Sequence, residues 1–194
     1  MIISFLISYL LGSIPFGKIV TKVLTGKDIT KTGSQNIGAT NVYRSVSKKA
    51  GLLVLILDGI KPMLALVLIS YFFNEYYQNF KFFYFFISIV GHVFPIWLMF
   101  RGGKGVACFF GGFLIISPIP TLISMAVWMV TVKITKISSL GALLSIFLLT
   151  SYQIVSNYGT LNKGTIFAIM LLIFWKHNEN IKRLIEGKEN KINL

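Results

Sequence analysis

The sequence predicts an all-α protein, a polytopic bundle of about seven transmembrane helices with its N-terminus outside and its C-terminus in the cytoplasm. Three observations support this fold class. Hydrophobic residues make up 55% of the 194 residues, which is typical of a multi-span membrane protein and too apolar for a soluble domain of this size. Apolar runs recur along the whole chain. Most basic residues lie in every second gap between those runs.

Seven apolar segments are predicted to cross the membrane. The first has neither a basic n-region nor a small-x-small cleavage pattern, so we interpret it as a retained span rather than a signal peptide. Pro118 and Pro120 lie between the fourth and fifth segments and favour a turn there, because proline interrupts a helix. The segments are 2–24, 50–73, 82–100, 106–117, 119–132, 140–156 and 163–176.

The distribution of basic residues favours seven spans over five. With seven spans, 17 of the 19 lysines and arginines lie on the inner side, and only Lys81 and Lys163 lie outside. Merging the fourth segment with the fifth, and the sixth with the seventh, gives five spans but moves two more lysines outside. The positive-inside rule therefore prefers seven. We read the chain as one domain over 1–194.

The net charge of +13 indicates an anionic partner. In a soluble protein this charge would suggest nucleic acid, but the apolar background favours an anionic membrane lipid or an anionic substrate, and no nucleic acid. Cys108 is the only cysteine, which excludes an internal disulfide and a cysteine-rich metal site. We expect no metal and no cofactor.

Every unusual polar cluster falls on the inner side of the seven-span topology. Gly12-Ser13-Ile14-Pro15-Phe16-Gly17 interrupts the first span and is either a packing kink at the proline or the wall of a pocket. The segment Thr32 to Arg44 is rich in glycines, hydroxyls and amides. That inventory can wrap a phosphate or an acyl phosphate, and an ordinary turn-rich loop is the alternative.

The chain is organised around the turn Arg101-Gly102-Gly103-Lys104-Gly105, which separates two apolar runs. Its glycines are predicted to take φ > 0 and to point consecutive N–H groups into one concavity between two cations. A helix that begins beside the turn would add its partial positive charge. The predicted ligand is a phosphate on a lipid or lipid precursor, and the alternative is a plain basic loop.

Ionisable residues within apolar segments are candidates for function. Asp58 and Lys61 are three residues apart and share a helix face, so a structural ion pair is the preferred interpretation. We expect His92 to be buried and neutral with one structural hydrogen bond. His177 and Asn180 are also three residues apart and lie at the inner interface. They either contribute to a functional site or belong to an ordinary solvated helix surface.

Four segments of the chain resemble, in order and spacing, the signature segments of the bacterial acyl-phosphate:glycerol-3-phosphate acyltransferases. The resemblance covers nearly the whole chain, and GSIPFG near the N-terminus fits as well. Because several motifs agree at once, their combination is highly specific. The segments are GSQNIGATNVYR, LDGIKP, GHVFPIWLMFRGGKGVA and HNENIKRLIEGKE.

The resemblance implies a multi-pass enzyme of the inner membrane with its active site on the cytoplasmic face. It would transfer a fatty acyl group from acyl phosphate to the sn-1 hydroxyl of glycerol 3-phosphate, which gives lysophosphatidic acid and phosphate, the first step of membrane phospholipid synthesis. Membrane lipid is an implied partner, and the enzyme that produces the acyl phosphate is left open as another. The alternative function is a transporter or flippase for a phosphorylated lipid or metabolite.

Position by position, the resemblance also implies the functional residues. The implied catalytic residues are Ser34, Lys104, His177 and Asn180. The implied glycerol 3-phosphate ligands are Arg44, Lys104, Ser139, His177 and Asn180. The implied acyl-phosphate ligands are Ser34, Asn36, Gly38, Thr40, Asn41, Gly102 and Gly103. The implied structural residues are Asp58, Lys61 and His92.

The chain departs from the family pattern at four positions, Gln35, Pro62, Cys108 and Asn178. Gln35 matters most, because it stands where glycine is usual and its side chain could narrow the phosphate pocket or alter the turn. No aspartate follows either histidine at the His-x4-Asp spacing, and no cysteine is placed as a nucleophile. The expected chemistry is direct attack by the glycerol hydroxyl, with His177 or a substrate phosphate oxygen as the base. The resemblance favours the phosphate.

Overall fold

The computed structural model describes residues 1–156 and 159–192, and all the regular secondary structure in these ranges is helical, as the sequence predicts. The chain divides into two compact units, Met1–Ile115 and Ile116–Leu194. The interpretation as one acyltransferase domain stays a prediction.

Ten α-helices make up the described chain. The first six are α1 (Ile2–Ser13), α2 (Phe16–Thr25), α3 (Ala39–Ser45), α4 (Lys48–Phe72), α5 (Asn74–Val93) and α6 (Val106–Ile116). The other four are α7 (Pro118–Thr135), α8 (Ser138–Val155), α9 (Thr160–Lys176) and α10 (Asn178–Ile185). Short 3-10 turns cover Ile29–Lys31 and Ile96–Leu98.

Five helical segments of the described chain are long and apolar enough to cross a membrane: Ile2–Thr25, Lys48–Phe72, Asn74–Leu98, Pro118–Thr135 and Ser138–Val155. The shorter α6 is also apolar, and α9 has 17 residues. The helix is interrupted at the two prolines, as predicted, because α6 ends at Ile116 and α7 begins at Pro118. Proline suits the first turn of a helix, where its missing N–H leaves no bond unmade. A single helix over 106–132 is therefore excluded.

The third apolar segment differs from its predicted bounds of 82–100. The helix α5 begins at Asn74 and ends at Val93, and a 3-10 turn follows. Pro95 is the reason for the early end, since proline cannot continue a helix and disfavours helical geometry in the residue before it. The polypeptide then enters the turn that contains Arg101 to Gly105.

Small residues bring α1 and α5 into close contact. A Cβ atom on Gly12 would overlap the backbone of Ser88, and one on Gly91 would overlap the carbonyl oxygen of Tyr9. Such small-residue contacts are typical of helix pairs in membranes, where packing replaces the hydrophobic effect as the driving force. They fix the end of α5 beside the break between α1 and α2.

Candidate functional site

The break between α1 and α2 is the kink that Pro15 predicts. Ile14 takes an extended conformation there (φ −60°, ψ 119°). Its carbonyl oxygen accepts a hydrogen bond of 2.9 Å from Lys61 Nζ. At this kink the Ile14 carbonyl oxygen also accepts from the Phe16 N–H at 3.1 Å, so a lysine of α4 adds a second donor to a backbone group outside the helical ladder.

The segment from Thr32 to Arg44 is held together by Asn41. The Asn41 amide donates to the carbonyl oxygens of Thr32 (2.9 Å) and Asn36 (2.8 Å). Its side-chain oxygen accepts from the Ser34 N–H at 3.0 Å and from Ser45 Oγ at 3.2 Å. Asn41 is 4% exposed, so the geometry gives it a structural role in this loop. Its predicted place in the acyl-phosphate pocket stays a prediction.

Apolar residues anchor the same loop to its neighbours. Ile37 and Val42 join a buried cluster with Val20 of α2 and Val54 of α4. Glycine is needed at Gly17, because a Cβ atom there would overlap the carbonyl oxygen of Ile37. The loop is thus fixed to α2 and α4 by its buried face.

The polar groups of the loop differ in their exposure. The side chains of Ser34 and Arg44 are exposed, whereas Asn36, Gly38 and Thr40 are half-buried. Ser34 and Arg44 are therefore the most solvent-exposed of these loop residues.

Gln35 takes a left-handed conformation with φ of 60°, which explains why glycine suits this position. The turn is retained, since the Gln35 N–H donates to the Thr32 carbonyl oxygen at 3.0 Å. The Gln35 side chain is exposed. Left-handed geometry disfavours residues with a Cβ atom, so the turn forms at some energetic cost.

The glycine turn differs from its prediction. The N–H groups of Gly102 and Gly103 donate to the carbonyl oxygens of Val93 (3.1 Å) and His92 (3.0 Å), so they do not form the predicted open concavity. Of the turn's glycines only Gly105 has a positive φ, at 86°. Glycine is required at 102 and 103 by close packing, because Cβ atoms there would overlap the His92 carbonyl oxygen and the His92 ring. The assignment of both glycines to the acyl-phosphate pocket stays a prediction.

A buried cluster of Asp58, Lys61 and His92 lies behind the glycine turn. The three residues are 2%, 3% and 4% exposed. The predicted ion pair is confirmed, with Lys61 Nζ 2.8 Å from Asp58 Oδ1. Lys61 Nζ is also 2.9 Å from His92 Nδ1. Because the ammonium group can only donate, His92 Nδ1 accepts, and the imidazole is neutral with its proton on Nε2.

His177 joins α9 to α10 and is 3% exposed. Its Nδ1 is 2.8 Å from the carbonyl oxygen of Ile173. A carbonyl can only accept, so Nδ1 carries the proton, and Nε2 of the neutral ring is an acceptor. In this tautomer Nε2 can accept a hydrogen bond from a hydroxyl group but cannot donate one to a phosphate oxygen.

Sequence reasoning missed the central group of the second unit, Glu189. Its Oε1 accepts hydrogen bonds from Ser139 Oγ at 2.8 Å and Asn180 Nδ2 at 2.5 Å, and its Oε2 accepts from Arg183 Nε at 2.6 Å. The carboxylate thus joins two residues that the resemblance assigned to glycerol 3-phosphate. A serine hydroxyl has one hydrogen, so Ser139 cannot donate to Glu189 and to a substrate at the same time.

The backbone brings Glu189 back to α8. Gly187, with φ of 68°, ends α10 in a tight turn, and the Ile192 N–H donates to the Lys136 carbonyl oxygen at 2.7 Å. Burial raises the pKa of Glu189, but hydrogen bonds from Arg183, Asn180 and Ser139 outweigh it and lower the pKa below its ordinary value. In the described ranges, no group of three or more His, Cys, Asp or Glu side chains could hold a metal ion.

Comparison with known proteins gives one consistent result. The family model of glycerol-3-phosphate acyltransferase matches residues 2–187. The glycerol-3-phosphate acyltransferase of Ehrlichia chaffeensis is 40% identical over 189 residues, covering 97% of this chain and 94% of the relative. That of Pelagibacter ubique is 43% identical over 189 residues, covering 96% and 95%.

Two solved structures share the fold. The first is a crystal structure of PlsY (YgiH), an integral membrane glycerol 3-phosphate acyltransferase, in its glycerol 3-phosphate form. It has a TM-score of 0.90 at 32% identity and covers 99% of this chain and 95% of that one. The lysophosphatidic acid form has a TM-score of 0.87 at the same identity and coverage.

Proposed function

Because the chain belongs to the glycerol-3-phosphate acyltransferase family, we propose that it acylates the sn-1 hydroxyl of glycerol 3-phosphate with acyl phosphate as the donor. The products are lysophosphatidic acid and inorganic phosphate. The acyltransferase activity is supported by the family model, which matches residues 2–187. It is also supported by the similarity to a solved glycerol 3-phosphate acyltransferase over 99% of the chain. The predicted alternative, a transporter or flippase, gains no support from these relatives.

The chemical step needs no covalent enzyme intermediate. The sn-1 hydroxyl oxygen bonds to the acyl carbon, the bond from that carbon to the phosphate oxygen breaks, and the hydroxyl proton passes to a phosphate oxygen. Cys108 is fully buried with its Sγ donating to the Asp58 carbonyl oxygen at 3.2 Å, which agrees with the absence of a thiol nucleophile. A mixed anhydride is already activated, so positioning and charge stabilisation suffice.

The proposed donor site is the loop from Thr32 to Arg44. Its backbone is fixed by Asn41 while the Ser34 hydroxyl and the Arg44 guanidinium are exposed. A rigid loop with exposed donors binds an anion at low entropic cost, because little remains to be ordered on binding. Asn36, Gly38, Thr40, Gly102 and Gly103 are proposed to complete the acyl-phosphate ligands.

The proposed ligands of glycerol 3-phosphate are Arg44, Lys104, Ser139, His177 and Asn180. The cationic pair suits the phosphate, since charge-assisted bonds to phosphate are the strong ones. His177 is assigned to a hydroxyl, because its Nδ1 donates to the Ile173 carbonyl oxygen and the Nε2 of a neutral imidazole can only accept. Because the Ser139 hydroxyl and the Asn180 amide nitrogen donate to Glu189, Ser139 would bind the substrate as an acceptor and Asn180 through its second N–H or its oxygen.

His177 therefore has two possible roles, as the base or as an orienting acceptor, and we propose the second. A His177→Asn variant should then raise the KM for glycerol 3-phosphate and keep the acid limb of the pH–rate profile. That limb would report a phosphate group, whose second pKa is about 6. A collapsed kcat with an unchanged KM and a flat acid limb would identify His177 as the base, whose loss typically costs about 10²–10⁴-fold.

The proposed topology is seven spans of the inner membrane with the active site on the cytoplasmic face. It is supported by the apolar helices, with α1 and α2 as one span, and by the placement of 17 of 19 basic residues in the inner gaps. In a Cys108→Ala background, Asn79→Cys should react with a membrane-impermeant thiol reagent in intact cells. Lys133→Cys should react only in inverted vesicles, and its labelling in intact cells would support five spans.

The decisive experiment on function uses purified protein and three acyl donors. Release of phosphate from a synthetic acyl phosphate, dependent on glycerol 3-phosphate and equal to the lysophosphatidic acid formed, is the expected result. Acyl-CoA and the acylated form of acyl carrier protein should give no product. Product from either of those donors, without product from acyl phosphate, would keep the acyltransferase and reject the proposed donor.

A further inference from the structure

The proposed acyl transfer does not use the buried cluster of Asp58, Lys61 and His92, although the cluster touches the loop that carries Lys104. Lys61 Nζ has three hydrogens and three acceptors within 2.9 Å: Asp58 Oδ1, His92 Nδ1 and the Ile14 carbonyl oxygen. Nζ forms hydrogen bonds with His92 Nδ1 and the Ile14 carbonyl oxygen and an ion pair with Asp58, and together these contacts fix the imidazole from its Nδ1 side.

His92 in turn fixes Gly103 by two contacts. Its carbonyl oxygen accepts the Gly103 N–H at 3.0 Å. The Nε2 edge of its ring fills the space that a Cβ atom on Gly103 would need. Gly103 is buried, the next residue is Lys104, and Gly105 then accepts the first backbone bond of α6 from Phe109 at 2.8 Å. The turn is thus held at both ends, with Lys104 between the fixed points.

An ion pair that only stabilised the fold would be complete with Asp58 and Lys61. The hydrogen bond from Lys61 to His92 extends the contacts to α5, and the ring of His92 extends them to the glycine turn. The chain of contacts ends one residue before a proposed substrate ligand. Contacts that served only to join α4 to α5 would not need to extend to the glycine turn, so these contacts indicate that the cluster supports the site.

We propose that Lys61 and His92 are positioning residues for the acceptor substrate: Lys61 orients the His92 imidazole, and His92 fixes Gly103 so that Lys104 is held in place for glycerol 3-phosphate. The inference rests on the proposed role of Lys104 and assigns no direct substrate contact to either residue. The tests therefore include one readout that does not depend on catalysis.

The first test is His92→Asn. The shorter amide can still accept from Lys61 near the position of Nδ1, but it leaves the space beside Gly103 empty. The expected result is a rise of about tenfold or more in the KM for glycerol 3-phosphate, since small misplacements of binding groups are costly. Amide hydrogen exchange in residues 102–105 should become faster.

Ser88→Ala is the matched control. Ser88 is fully buried on the same helix, one turn before His92, and its hydroxyl makes no hydrogen bond among the described residues. Its removal should leave the KM values and the exchange of the glycine turn as in the unaltered protein.

The second test uses the space between Gly103 and His92. Gly103→Ala alone should impair glycerol 3-phosphate binding, because its methyl group overlaps the imidazole. Combined with His92→Asn, the methyl group enters the vacated space, and the double variant should bind better than the product of the two single effects. Simple multiplication of those effects would mean that the two residues act independently and would overturn the inference.

Two further outcomes separate this inference from the proposed function. If the unaltered protein does not acylate glycerol 3-phosphate, the proposed function fails, while hydrogen exchange still decides whether His92 holds the turn. If that protein is active and His92→Asn changes neither exchange nor KM, the positioning role is rejected and the function stands. Lower thermal stability with an unchanged KM in the folded protein would also reject it.

The double variant Asp58→Asn with Lys61→Met tests the role of Lys61 even if the single variants do not fold. It removes both buried charges together and deprives His92 of its donor. We expect the same rise in the KM for glycerol 3-phosphate as in His92→Asn. A normal KM in this double variant would overturn the role of Lys61.

Discussion

Each unit of the chain buries one carboxylate, but the two are built in opposite ways. Asp58 in the first unit and Glu189 in the second have side-chain exposures of 2% and 4%. Asp58 finds its counter-charge one helical turn away on α4, in Lys61 at 2.8 Å. The Glu189 carboxylate accepts hydrogen bonds from Asn180 and Arg183 of α10 and from Ser139 of α8. Ser139 lies 50 residues before Glu189 in the chain.

The difference shows which buried charges a sequence reveals. A carboxylate and a lysine three residues apart inside an apolar run must share a helix face, so their pairing follows from helix geometry. Glu189 lies in a polar tail where several charges are solvated, and nothing in its local spacing distinguishes it from Glu186. Only the return of the tail to α8 gives Glu189 its three donors.

The largest expected effect comes from breaking the local pair in the first unit. Lys61→Met leaves Asp58 buried without its counter-charge, and such a break typically destabilises a protein by about 3–5 kcal/mol. Unfolding in detergent with increasing denaturant measures the loss. The neutral pair Asp58→Asn with Lys61→Met is the control and should recover most of the stability. Equal losses in the two variants would show that Asp58 does not carry the penalty.

Glu189→Gln is the corresponding change in the second unit. The glutamine side chain can replace one acceptor but not the charge that faces Arg183, and a hydrogen bond to a charged group is worth about 1.5–3 kcal/mol. We expect a destabilisation of about 2–3 kcal/mol, with faster hydrogen exchange in residues 136–139 and 178–192. Glu186→Gln removes an exposed carboxylate of the same tail and should change neither quantity.

The stability of the C-terminal tail, residues 186–192, should depend on pH through Glu189. Glu189 has a folded pKa below its ordinary value of 4.5, so its stabilising contribution is fully present above pH 4.5 and is lost as the pH falls through the folded pKa. The protection of residues 186–192 against exchange, corrected for the intrinsic exchange rate at each pH, should therefore stay constant down to about pH 5 and then decrease. The Glu189→Gln variant should lack this acid transition, and its persistence there would assign the transition to another group.

Lys104→Ala tests whether the cations of the first unit bind substrate rather than bulk anions. Loss of one charge-assisted hydrogen bond should raise the KM for glycerol 3-phosphate at least about tenfold, since about 1.4 kcal/mol corresponds to a factor of ten. Arg44→Ala should act similarly. Lys49→Ala, an exposed lysine at the start of α4, is the matched control. A similar effect in all three variants would indicate general surface charge instead of a site.

The smallest expected effect concerns Gln35. Replacement by glycine removes the cost of a left-handed conformation, about 1–2 kcal/mol for a residue with a Cβ atom. Gln35→Gly should therefore raise the thermal unfolding midpoint slightly without changing the KM for acyl phosphate. A lower KM would instead show that the glutamine side chain narrows the donor pocket.

Local spacing and composition by themselves determined the helical class, the apolar segments, the kink at Pro15, the break before Pro118 and the Asp58–Lys61 pair. Each of these depends on properties of a few neighbouring residues, namely hydropathy, proline geometry or the helical repeat. The family resemblance added the acyltransferase reaction, because several motifs recur in order. These predictions needed no knowledge of which segments contact one another.

Tertiary structure alone decided the rest. The glycines at 102 and 103 suggested an N–H concavity, but contact with His92 and Val93 takes up those N–H groups. The sequence assigned Asn41 to a substrate pocket, which stays a prediction, and it did not show that the Asn41 amide joins Thr32, Ser34, Asn36 and Ser45. Glu189 ends the segment HNENIKRLIEGKE, which carries the resemblance, but its spacing does not reveal its partners. Every polar group must find a partner when buried, and sequence spacing cannot show which distant partner reaches it first.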